Sequence, residues 1–198
     1  ADKIFSQPYK DINSTKLRKK EIINLGGFLN GEFSRQQEIE KRRGKKITFQ
    51  TFMTHIIDTY SEKSNYSIDM IDTVVRIFLI KNKEEFGFSD EQENFWLDSL
   101  HIAKFLNEAF TEQQNWEEAR HIKYKDDLTP LKNFMDPAIS AIVDRFKKEG
   151  YSIDVVHESL KAFLKSREDD FYFDDNQGQK WLNKLGQEWE SATVNIEA

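Results

Sequence analysis

Three of the four histidines follow an acid by three residues: Asp98/His101, Glu118/His121 and Asp154/His157. On a helix that spacing sets both groups on one face, and paired carboxylate–histidine helices are how four-helix bundles hold a di-metal centre. His101, His121 and His157 are therefore the candidate metal ligands. The apolar stripes carry no glutamate to complete such a site, and the zinc-protease pattern His-Glu-x-x-His is absent. Ordinary surface acid–histidine pairs outweigh a metal centre, so a metal-dependent helical-bundle enzyme is the third reading of the chain. A carboxylate cluster, Asp169, Asp170, Asp174 and Asp175, lacks the ligand register of a calcium loop because Phe171 and Phe173 interrupt it. Acids so placed suit the positive end of a helix dipole.

Other chemistries find less. There is no Gly-x-Ser-x-Gly elbow and no cysteine nucleophile. Gly26-Gly27 with Gly31 lacks the Gly-Lys-Ser/Thr ending of a phosphate loop. The chain is expected to need no cofactor and leans away from being an enzyme.

Basic residues make a stronger pattern. Lys16, Arg18, Lys19 and Lys20 form one cluster, and Lys41, Arg42, Arg43, Lys45 and Lys46 a second, within one 31-residue window. Residues 1–47 carry +6 and the remainder −12, within a net charge of −6. Phosphate neutralisation asks for such clusters, so nucleic-acid binding through residues 14–46 is the second reading. No helix-turn-helix, zinc-finger or RNA-recognition signature accompanies them, and a solvated charged face weighs more.

The elements that must position these groups come from a self-match. Tyr66–Leu100 lies against Tyr151–Leu185 without a gap, 85 positions apart, with 13 identities in 35 positions. The identities fall on caps and apolar positions: Ser67/Ser152, Phe78/Phe163, Phe86/Phe171, Phe88/Phe173, Trp96/Trp181 and Leu100/Leu185 among them. Spacings of three and four predict helices throughout, and no alternating run or hairpin dipeptide predicts a strand. The expected fold is all-α, roughly nine helices, with two tandem repeats of about 85 residues, three main helices each, behind a basic N-terminal helical arm. The divisions are residues 1–47 for the arm, 48–122 for the first repeat with an extended third helix, 123–136 for a linker and 137–198 for the second repeat and tail. Gly26-Gly27 is expected to stop or kink the arm's first helix. Thr129-Pro130 is expected to break the chain in the linker, and Asp136-Pro137 to open the next helix.

Where the copies disagree, contact residues are sought. Phe110 and Trp116 lie in Ile102–Lys123, beyond the matched span, and Tyr172 stands where the first copy has Gly87. These three are the candidate partner-binding residues. The absence of cysteine fits a reducing compartment, no apolar run approaches a membrane span, and the opening Ala1-Asp2-Lys3 has no positive-then-apolar leader. A cytoplasmic location without integral membrane association is expected, with a removed secretion signal as the alternative. The leading reading is a non-enzymatic interaction or regulatory protein that binds another protein through an inter-repeat groove or an acidic face.

Overall fold

A computed structural model describes residues 12–44, 48–62 and 66–192, with side chains from residue 19 onward. The described residues are all-helical and contain no strand. Eight α-helices follow in order: α1 Ile12–Arg43, α2 Phe49–Glu62, α3 Ile68–Phe86, α4 Asp90–Ala119, α5 Leu128–Ile142, α6 Ile153–Lys165, α7 Glu168–Phe171 and α8 Asp175–Ser191. A π-helical turn, Val143–Lys147, continues α5. No helix of the described residues is long and apolar enough to cross a membrane.

Local chemistry sets most of the boundaries. Ser67, Ser89, Ser152 and Asp174 each accept the backbone N–H three residues on, at 3.0–3.4 Å, which satisfies a donor that a helix start leaves open. Gly44, Gly87 and Gly150 take left-handed φ values of 66°, 65° and 84°, the conformation that ends a helix and that glycine adopts without a Cβ clash.

Two expectations are corrected here. α1 runs unbroken through Gly26, Gly27 and Gly31. Leu25 and Leu29 are wholly buried on its inner face, with Ile22 and Phe33 half-buried beside them. Burial of that stripe against α3 outweighs what the glycines cost. Nothing lies within 4 Å of a Cβ built at any of the three. Each of Gly26→Ala, Gly27→Ala and Gly31→Ala is therefore expected to raise stability by about 0.5–1 kcal/mol, read as a later denaturant midpoint at unchanged slope. A loss at any of the three would mean that its glycine serves a close contact.

The second correction concerns α5, which starts at Leu128 and not at Pro137. Asp126 Oδ1 accepts from the Thr129 N–H and hydroxyl at 2.8 Å each, and these bonds hold its carboxyl below the usual range. Pro130 falls in the first turn, where a missing N–H costs nothing. Pro137 sits inside the helix, and the carbonyl it leaves without an amide partner belongs to exposed Asn133. Burial of Leu131, Phe134 and Met135 extends the helix back across both prolines.

The chain forms two compact units, residues 1–56 with 65–93 and residues 57–64 with 94–198. In the first, Phe33, Phe49, Phe52, Phe78, Phe86 and Phe88 make a ring cluster, with Phe33 centroids 5.0–6.1 Å from four of the others. In the second, Ile102, Leu106 and Phe110 of α4 join α5, the π-helical turn, α6 and α8 around one core. Lys147 closes the end of α8 by donating to the carbonyls of Trp189 and Ala192.

Candidate interaction surfaces

The most built polar site of the second unit surrounds Arg167, in the two-residue break between α6 and α7. Its guanidinium lies 3.7 Å over the Phe163 ring and 5.4 Å from that of Phe110. It donates to the Phe163 carbonyl at 3.1 Å, to Ser166 Oγ at 3.0 Å and to Asn107 Oδ1 at 2.6 Å. Asn107 in turn donates to Ser61 Oγ at 3.0 Å, and Ser61 to the Asp58 carbonyl at 3.0 Å. Burial pushes the guanidinium down to about 10, against the opposing pull of Glu62 and Asp170. It stays cationic at neutral pH, tying the last turn of α2, the middle of α4 and the α6–α7 break together. The chemistry of this network is that of a clamp.

Beyond the clamp the chain turns at Tyr172, whose φ of 54° and ψ of 56° are left-handed. The reversal sends Phe171 inward against Phe110 at 5.5 Å and Phe173 inward against Trp181 at 5.4 Å. Tyr172 points away and is 76% exposed. An aromatic residue in this conformation costs about 1–2 kcal/mol relative to the right-handed region, and its ring recovers little of that by burial. Exposed Asp169, Asp170, Asp174 and Asp175 flank it. Hydrogen bonding to Glu168, then to Lys165, holds the Asp175 carboxyl below its usual range, and Glu168 and Asp175 raise the Lys165 ammonium. The turn is an acidic rim around one exposed ring.

The other candidates are dispersed. Phe110 is 3% exposed, packed against Phe134, Phe163 and Phe171, so its role is in the core and a partner cannot touch it. Trp116 is 51% exposed beneath the Arg120 guanidinium, 4.1 Å from the ring centroid. His101 Nδ1 lies 3.3 Å from the Tyr151 hydroxyl, His157 is 3.8 Å from Glu158, and His121 has φ 54° in the turn after α4. Among the described residues no three His, Asp or Glu side chains converge to hold a metal ion.

Lys19, Lys20, Lys41, Arg42 and Arg43 are exposed on α1. Lys16 and Arg18 belong to the same helix, their side chains outside the described residues, as are Lys45 and Lys46 altogether. At 1.5 Å per residue, Lys20 and Lys41 stand about 30 Å apart along the axis. The two clusters are thus opposite ends of one helix and not a single patch, and the second suits the negative end of the helix dipole.

Arg167, Asn107 and Ser61 were not singled out by sequence. Arg167 stands opposite Asn82 in the self-match, one of a run of unlike pairs from Ile80/Lys165 to Lys83/Glu168 that does not set it apart. No family model matches the chain, and neither a curated protein nor a solved structure is significantly similar to it.

Proposed function

We propose that this is a non-enzymatic interaction protein, built from a duplicated helical unit, that binds a Lys/Arg-rich segment of another protein on the acidic turn around Tyr172. Element boundaries support the duplication. α3 spans 68–86, and α6 with α7 begins at 153 and ends at 171, both shifted by 85. α4 and α8 begin at Asp90 and Asp175, the same shift. The six buried positions of α3 are matched one for one by those of α6: Met70/Val155, Ile71/Val156, Val74/Ser159, Val75/Leu160, Phe78/Phe163 and Leu79/Leu164. Asn82 bonds the Phe78 carbonyl as Arg167 bonds that of Phe163.

The single observation that carries the functional reading is the contrast at the matched turns. Gly87 takes the left-handed residue at no steric cost, with Phe86 and Phe88 turned onto Phe49 at 4.8 and 5.1 Å. Tyr172 holds the same conformation with a side chain that the fold does not use. Backbone strain kept at an exposed aromatic is characteristic of a contact residue, and tyrosine is favoured where binding energy concentrates. Carboxylates around it select a cationic partner and draw it in, and the ring adds a cation–π contact. The polyanion reading has less support, because the basic clusters lie at opposite helix ends.

Equilibrium titration with a lysine-rich peptide, beside one with glutamate in place of lysine, tests the proposal. Saturable binding to the lysine peptide alone is expected, weakened at high salt and reduced about tenfold or more by Tyr172→Ala, the loss typical of an interface anchor. Equal affinity of the intact chain and Tyr172→Ala would refute the assignment.

A further inference from the structure

The break between α6 and α7 leaves one serine in a configuration that its matched segment lacks. Ser166 caps α6 and is exposed. Its hydroxyl donates to the Phe163 carbonyl at 2.8 Å and accepts from Arg167 at 3.0 Å. In the first copy position 81 is a lysine within the unbroken helix α3. Only in the second copy, then, is a hydroxyl presented at a helix interruption, where the backbone leaves the helical path. Arg167 comes next, and Glu168, Asp169 and Asp170 stand at the second, third and fourth positions beyond the serine, a run that complements a protein kinase with a cationic substrate groove.

We infer that Ser166 is a phosphorylation site whose modification releases the Arg167 clamp. The chemistry is ordinary phosphoryl transfer: Ser166 Oγ bonds to the γ-phosphorus of a nucleoside triphosphate, the bond to the β–γ bridging oxygen breaks, and the nucleoside diphosphate leaves. The hydroxyl proton passes to the kinase's catalytic base. The ester oxygen then has no proton, so the bond to the Phe163 carbonyl cannot persist and two acceptors face each other. A dianionic phosphate beside the guanidinium offers Arg167 a stronger partner than the neutral Asn107 amide. The phosphate also stands at the negative end of α6 and next to three acids, both destabilising. Release of Arg167 from Asn107 uncouples the α6–α7 break from α4.

The test uses the full chain, an acid-directed serine/threonine kinase and ATP, with the site located by fragmentation mass spectrometry. Phosphate is expected at Ser166 and absent from Ser166→Ala. Amide hydrogen exchange over residues 163–172 is expected to quicken by about tenfold or more on phosphorylation, the scale of one lost charge-assisted hydrogen bond. Unmodified Asn107→Ala, which cuts the same clamp from its other side, is expected to quicken that segment similarly. Phosphate found only on other residues would overturn the site. Phosphate on Ser166 with unchanged or slowed exchange would overturn the release mechanism.

Discussion

Phe110→Ala is expected to destabilise the second unit by about 3–5 kcal/mol, the range for deleting a buried phenylalanine ring. The ring lies between α5, α6 and α7, 5.0 Å from Phe134, 6.0 Å from Phe163 and 5.5 Å from Phe171. Edge-on packing of this kind adds to the plain transfer term. The surrounding groups are rings on separate helices, so the cavity cannot collapse without moving a helix, and the cost belongs at the upper end. A loss that size is a large part of the stability of a domain. Chemical denaturation with tryptophan fluorescence reads the change. A loss below about 1 kcal/mol, typical of a surface site, would show that Phe110 is not a core residue.

Arg167→Met should cost about 2–3 kcal/mol, the scale of charge-assisted hydrogen bonds left unmade. Methionine keeps much of the alkyl packing over Phe163, so the measured loss isolates the guanidinium from its stem. Asn107 Oδ1 and the Phe163 carbonyl each lose a donor in a partly buried setting. Arg167→Lys should recover only a fraction, because an ammonium cannot bond Asn107, Ser166 and Phe163 while lying flat on a ring. Full recovery by lysine would mean that charge alone acts here and the fork geometry does not.

The difference between these two residues shows what sequence could carry. Phe110 belongs to a stripe with Ile102 and Leu106, and its helical spacing announced a buried face, although its position beyond the matched span also suggested contact with a partner. The caps at Ser67, Ser89, Ser152 and Asp174 were legible, since each donor lies three residues from its acceptor. Gly26-Gly27 and Pro130 misled because their local preferences are worth only about 1–3 kcal/mol and burial elsewhere overrides them. Arg167 was out of reach for another reason: its partner Asn107 is 60 residues away, and Ser61 another 46 from Asn107. The compact units likewise do not follow the divisions expected from the self-match, since α4, which carries the matched Trp96 and Leu100, supplies Ile102, Leu106 and Phe110 to the core of the second unit. Only tertiary structure assembles such groups.

Tyr172→Gly, measured for stability and for lysine-peptide binding in the same preparation, bears most directly on the claim that this residue is kept for contact and not for folding. Glycine relieves the left-handed backbone and matches the residue found at position 87. Stability is expected to rise by about 0.5–1 kcal/mol while peptide affinity falls about tenfold or more, as when an interface anchor is removed. A variant that loses stability and binds the peptide as tightly as before would contradict the account.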